Sequence, residues 1–133
     1  MKRVVIIGGG FAGSYAARKL ENEFDVTLID SKDYFEFTPG ILRTIVEPPH
    51  AEKIQVLHSR YLKRARIIVG EVKEVAETFV KVNGKKIGFD YLVISSGSRY
   101  ELPIKEQNIF LATRASHLRN YYPKIKPHSL ECG

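Results

Sequence analysis

The chain opens on four consecutive β-branched apolar residues, Val4-Val5-Ile6-Ile7. A run without polar alternation suits a strand covered on both faces of a parallel sheet. Gly8-Gly9-Gly10 ends it. From Phe11 to Leu20 the pattern changes, and Ala12, Tyr15, Ala16 and Lys19/Leu20 recur at helical spacing. Glu21 to Asp25 reads as a polar turn. Val26-Thr27-Leu28-Ile29 is a second apolar strand, ending at Asp30. Strand, helix and strand in this order predict a right-handed crossover between parallel neighbours.

Beyond Asp30 the pattern loosens. Tyr34, Phe35 and Phe37 crowd together, Pro39-Gly40 breaks the chain, and residues 41–46 read as a short helix. Glu47-Pro48-Pro49-His50 breaks it again. Residues 51–63 read as a helix with Ile54, Leu57, His58 and Tyr61 on one face, and Arg66 to Gly70 as another parallel strand. From Val72 to Gly88 the period becomes two. Val72, Val75, Phe79, Val82, Ile87 and Phe89 fit short antiparallel strands around a tight Asn83-Gly84 turn. Tyr91 to Ile94 reads as a last buried strand, closed by Ser95-Ser96-Gly97-Ser98. A short strand is expected near 109–111, a helix over 113–122, and a disordered tail over 123–133, which holds Pro123 and Pro127. The fold class is α/β: a Rossmann-like doubly wound parallel sheet with a small antiparallel β insert, in one domain over residues 1–122.

Composition narrows the possibilities. A chain of 133 residues has room for one ordinary domain, and 44% hydrophobic with 27% charged residues is the balance of a folded domain. No apolar run approaches the roughly 20 residues that cross a bilayer, and no signal-peptide pattern is present. The expectation is a cytoplasmic protein. The one cysteine, Cys132, excludes an internal disulfide, and no Cys/His cluster has metal-ligand spacing. His50, His58, His117 and His128 are scattered and read as structural or exposed. Lysine and arginine exceed acids 21 to 15, a net +6, but are spread along the chain. This is a solvated basic surface with a bias toward anionic partners such as nucleotides or a membrane surface; no nucleic-acid partner is expected.

The chemistry lies in Gly8-Gly9-Gly10-Phe11-Ala12-Gly13, which matches G-x-G-x-x-G. Its context is the required one: a strand before, a helix after, and an acid at the end of the next strand. Asp30 lies 20 residues beyond Gly10. Gly8 permits the tight turn, Gly10 lets backbone N–H groups approach a pyrophosphate, and Gly13 lets the helix pack on the strand, with Ala17 and Leu20 as the face laid on the sheet. The helix N-terminus offers N–H donors and a positive dipole end to phosphates. Asp30 can accept hydrogen bonds from adenosine ribose hydroxyls and would repel a 2′-phosphate, which disfavours NADP. A plain turn requires no such acid, so the motif points to the ADP half of a dinucleotide.

Val4 to Asp30, Tyr34-Phe35-Glu36-Phe37-Thr38-Pro39 and Asp90-Tyr91-Leu92-Val93-Ile94-Ser95-Ser96-Gly97-Ser98 together resemble the two-dinucleotide-binding-domain flavoproteins of the pyridine nucleotide-disulfide oxidoreductase superfamily. Within it the chain most resembles type II NADH dehydrogenases, with apoptosis-inducing-factor-like oxidoreductases and sulfide:quinone reductases nearby. The resemblance covers residues 1–122 and implies FAD as the cofactor. Gly8, Gly10, Ala12 and Gly13, with Phe11 between them, would hold the pyrophosphate. Asp30 would bind the ribose, with Ser31 and Lys32 beside it. Phe37, Thr38 and Pro39 match the segment that passes the flavin end, Val72 would offer backbone bonds to the adenine, and Ser96 and Gly97 match a turn along the cofactor. Arg99 would reach toward the isoalloxazine or the phosphates. The antiparallel insert fits FAD independently, because a plain NAD domain would continue with alternating helices and strands. Tyr34, Phe35 and Phe37 can also be core aromatics, and Ser95 to Ser98 an ordinary turn.

The resemblance also implies a second glycine motif for NADH, a returning FAD-domain segment and a C-terminal contact region, none of which follows Lys124-Ile125-Lys126. The expectation is therefore a truncated enzyme or one piece of a split one. Electrons would pass from NADH through FAD to a quinone or other acceptor once another chain supplies the rest. No residue reads as a catalytic acid, base or nucleophile. Sulfide:quinone chemistry would need cysteines that the chain lacks. An exposed apolar edge, homo-oligomerisation and membrane-surface association are further expectations. The alternatives are a non-catalytic FAD-, NAD- or ADP-binding module and an NAD-dependent dehydrogenase with a very small substrate region.

Overall fold

The computed structural model describes residues 1–98. Their elements are β1 (Arg3–Ile7), α1 (Phe11–Leu20), β2 (Asp25–Asp30), β3 (Tyr34–Glu36), α2 (Arg43–Val46), α3 (His50–Ile54), β4 (Gln55–Leu57), α4 (His58–Tyr61), β5 (Arg66–Val69), β6 (Val72–Val75), β7 (Phe79–Val82), β8 (Lys85–Gly88) and β9 (Tyr91–Ile94). The elements expected at 109–111 and 113–122, and the tail at 123–133, lie outside the described residues. Two compact units are present. Within the described residues the first is Met1–Phe35 with 56–98, and the second is Glu36–Gln55.

The first unit is built on a parallel sheet of order β5-β2-β1-β9. β1 pairs with β2 from Arg3↔Asp25 to Ile7↔Ile29, and with β9 from Val4↔Tyr91 to Ile7↔Ile94. The unbroken apolar runs are explained by what covers each face. Val4, Ile6, Val26 and Leu28 point one way and pack with Ala17 of α1 and Leu62. Val5 and Ile29 point the other way and pack with Val80 and Val82 of the antiparallel sheet β6-β7-β8. Each fully buried aliphatic side chain contributes about 1.5–3 kcal/mol relative to exposure. The β7–β8 turn is the expected one: Asn83 and Gly84 both have positive φ, 50° and 74°, which matches the twist of a tight hairpin.

Three expectations need correction. Tyr15 is 66% exposed; the buried face of α1 is Gly13, Ser14 and Ala17, because small residues alone allow the helix to lie close to the sheet. Residues 51–63 are two short helices separated by β4. Gln55 is extended (φ −112°, ψ 130°), Ile54 and His58 are buried, and Leu57 is exposed. Backbone bonds outweigh the apolar spacing here: His58 N–H donates to Asp33 O at 2.9 Å, and Phe37 N–H to Ile54 O at 2.8 Å. The third correction concerns β9. Tyr91 and Ile94 are 56% and 63% exposed, because β9 pairs only with β1 among the described residues and only its centre is covered on both faces.

Glu21, expected in a polar turn, is buried. Its Oε2 accepts the backbone N–H groups of Lys63, Arg64 and Ala65 at 2.9, 2.8 and 3.1 Å. Burial opposes the charge, but the three amide bonds outweigh it and hold the carboxyl below its usual range. Glu21 thus ties the end of α1 to the approach of β5. Glu21→Ala is expected to lower stability by about 2 kcal/mol, the worth of charge-assisted hydrogen bonds, as measured by urea unfolding. An unchanged midpoint would contradict this role.

In the second unit Ile41, Ala51 and Ile54 are buried, and the Gln55 amide donates to the Glu36 carboxylate at 3.2 Å. No helix of the described residues is long and apolar enough to cross a membrane.

Candidate functional site

The glycines of the first turn differ in what a side chain would meet. Gly8 has φ +99°, and a Cβ there would fall 2.2 Å from Ser95 O; its N–H donates to Ile29 O at 2.8 Å. A Cβ on Gly13 would fall 1.7 Å from Gly8 O, so the helix rests directly on the turn. Both results match the jobs expected of these residues. Gly10 is different. Its φ of −77° suits any residue, and a Cβ would meet no atom within 4 Å. Neither the backbone conformation nor packing among the described residues requires glycine at this position. The space before the start of α1 is open, which is the cradle a phosphate group needs.

The ten-residue helix α1 begins there with no side-chain cap and no acid in its first turn. Ser14 N–H donates to Gly10 O at 2.9 Å. Phe11 and Ala12 are exposed, and the Phe11 ring meets Phe35 edge-to-face at 5.1 Å.

Asp30 is brought to the same turn, buried to all but 8%. Oδ1 accepts Ser31 N–H at 2.9 Å. Oδ2 accepts from His58 Nε2 at 2.9 Å and lies 3.7 Å from Lys32 Nζ. Burial works to raise the Asp30 pKa; the His58 bond and the Lys32 charge outweigh it, and the carboxyl is held below its usual range. Lys32 also sits over the Tyr34 ring, 5.2 Å from its centroid.

Asp30 and Glu21 are both lowered. The stability they contribute is complete above the ordinary carboxylate range near 4 and is lost as pH falls through their lower folded values. The urea midpoint is therefore expected to be level from about pH 7 to 5 and to decline below about pH 4. A midpoint that rises on acidification would refute the assignment.

Ser95 pins the end of β9 to the turn. Its N–H donates to Ile7 O at 2.8 Å, and its hydroxyl bridges Ile7 O and Gly8 O at 3.0 and 3.1 Å. Ser96 and Gly97 follow, both exposed. Val72 opens β6 opposite Val82 and is half-buried in the core between the sheets. Phe37, Thr38 and Pro39 are exposed and belong to the second unit. Arg99 lies outside the described residues.

Several residues of this region escaped the sequence reading. Gly9 is one: a Cβ there would fall 2.5 Å from Asp30 Oδ2 and 2.6 Å from the His58 ring. His58, read as structural or exposed, is the structural one of the two: it is the fully buried partner of Asp30, a pairing the sequence did not indicate. Ser14, Ser95 and Tyr61 complete the set. Only the spacing of His58 and Tyr61 within a helical stretch hinted at them, and that stretch proved to be broken.

A glycine turn feeding an uncapped helix, with a buried acid at the end of the adjacent strand, defines a dinucleotide-binding α/β domain. The chain belongs to the pyridine nucleotide-disulphide oxidoreductase family, whose model matches residues 2–127; the family's members are FAD-binding flavoproteins. It is 40% identical over 125 residues to apoptosis-inducing factor homolog A of Dictyostelium discoideum, covering 93% of this chain and 30% of that protein. It is 36% identical to the sulfide-quinone reductase of Aquifex aeolicus, covering 94% of this chain and 31% of that one. The solved sulfide:quinone oxidoreductase of Aquifex aeolicus superposes with a TM-score of 0.83 at 30% identity, over 93% of this chain and 31% of that chain. NDH2 of Plasmodium falciparum in complex with NADH shares the fold, with a TM-score of 0.70 at 21% identity over 75% of this chain and 23% of its own. The chain thus spans under a third of the length of these relatives.

Proposed function

We propose that this chain is the FAD-binding portion of an NADH dehydrogenase-like oxidoreductase. The observation that carries this is Gly10, where an added Cβ would meet nothing among the described residues and the helix N-terminus is left open to a phosphate. Gly10, Phe11, Ala12 and Gly13 hold the pyrophosphate through backbone N–H groups and the helix dipole, and Gly8 shapes the turn beneath it. Asp30 accepts from the adenosine ribose, with Ser31 and Lys32 steadying it. Val72 serves the adenine, and Ser96 and Gly97 the length of the cofactor. Phe37, Thr38, Pro39 and Arg99 serve its flavin end. FAD supplies the redox chemistry when bound; the protein binds and orients it.

The electron donor in this reading is NADH and the acceptor a quinone or another acceptor, in line with the names of the family and its relatives. Segments beyond this chain, or another chain, complete the catalytic unit. A cytoplasmic location with contact to the membrane surface, and a homo-oligomer, suit a basic protein of net charge +6 that serves a lipid-dissolved acceptor.

The test is a visible spectrum of the purified chain followed by titration with FAD, NAD and ADP. Flavin absorbance, or saturable FAD binding that ADP competes away, is expected. Tight NAD binding without affinity for FAD would sink the proposal.

A further inference from the structure

His58 stands at the start of α4, fully buried. Its Nε2 is 2.9 Å from Asp30 Oδ2 and its Nδ1 is 2.6 Å from the Tyr61 hydroxyl. A carboxylate only accepts, so the Nε2 proton points at Oδ2. Burial pushes the Tyr61 hydroxyl up to about 12, and it keeps its proton throughout the neutral range. A polar triad, Asp30–His58–Tyr61, therefore links the end of β2 to α4. Gly9 lies against it with no room for a Cβ. These groups all belong to the first unit.

We propose that His58 is the positioning residue for Asp30, and that with Tyr61 it pre-orients the carboxylate for a nucleotide ribose diol. The inference rests on the ribose role given to Asp30 above. The physical case is one of preorganisation. A carboxylate free to rotate loses that freedom on binding, whereas one already fixed loses little. Asp30 is held on both oxygens, by Ser31 N–H on Oδ1 and by His58 on Oδ2. Each oxygen has two acceptor directions, so Oδ1 still has one to offer a hydroxyl. Supporting groups of this kind maintain a binding geometry without touching the ligand.

The probes are FAD, ADP and 2′-deoxy-ADP, with the dissociation constant measured by titration and folding followed by circular dichroism. The intact chain is expected to prefer ADP to 2′-deoxy-ADP by about tenfold or more, as fits a site built to bond a hydroxyl. His58→Leu is expected to weaken FAD about tenfold and to bring the two ADP constants within about twofold of each other. His58→Gln, which keeps an N–H donor, is expected to recover most of both effects. In an Asp30→Asn background His58→Leu should cost little more, because the two act as one unit. A His58→Leu protein that loses stability yet keeps the FAD constant and the ADP preference would overturn the inference. If His58→Leu does not fold, Tyr61→Phe takes its place; a preference left at the wild-type value overturns the inference as well. A wild-type chain that binds neither FAD nor ADP, or an Asp30→Asn variant that binds as tightly as wild type, would instead remove the proposed function beneath it.

Discussion

Gly13→Ala is expected to abolish folding of the nucleotide-binding unit, giving a chain without cooperative unfolding or FAD binding. The added methyl would stand 1.7 Å from Gly8 O and 2.6 Å from Ser95 Oγ. Neither neighbour can yield cheaply. Gly8 is held by its N–H bond to Ile29 O, and its carbonyl accepts the Ser95 hydroxyl. Relief would require α1 to lift from the sheet, and Ala17 sits fully buried on that face. Overpacking in a core ordinarily costs about 1–3 kcal/mol and occasionally more. A backbone collision next to the central strand belongs at the top of that range or above it. Retention of a sharp thermal transition, with near-wild-type circular dichroism, would show that the turn is looser than these distances imply.

Gly10→Val is expected to do the opposite. The protein should fold with a stability change within about 1 kcal/mol, the size of an N-cap effect. The affinity for FAD should fall by about a hundredfold or more, roughly 3 kcal/mol. The position is exposed, its φ is −77°, and a Cβ there meets no protein atom. Among the described residues nothing lies where the added Cβ would stand, so the expected obstruction is to a group brought to the start of α1. Wild-type FAD affinity in a folded Gly10→Val protein would place the cofactor elsewhere. The two substitutions share one motif, so together they separate glycine as a packing requirement from glycine as a binding requirement.

The site was legible in its linear features. Strand, glycines, helix, strand and terminal acid are all local, and each carries its own spacing. The antiparallel insert was legible too, because Asn83-Gly84 marks a hairpin without reference to the rest of the chain. The broken helix over 51–63 was not. Its apolar spacing is a fair helical pattern, and what defeats it are bonds to Phe37 and Asp33, residues distant in sequence. Tyr15 misled for a related reason: its spacing is helical, but the face α1 presents to the sheet is set by how close the helix must come.

The sequence by itself determined the candidate site's local frame, since Gly8, Gly10, Gly13 and Asp30 encode a turn, an open helix start, a close packing and an acceptor within one short segment. Tertiary structure alone decided what holds that acceptor in place. His58 reaches Asp30 across 28 residues of sequence, and Glu21 reaches its three amide donors across 42 to 44. Neither pairing has a periodic signature. A buried charge takes its partner from whichever element the fold brings alongside, and that is settled by the packing of the whole unit.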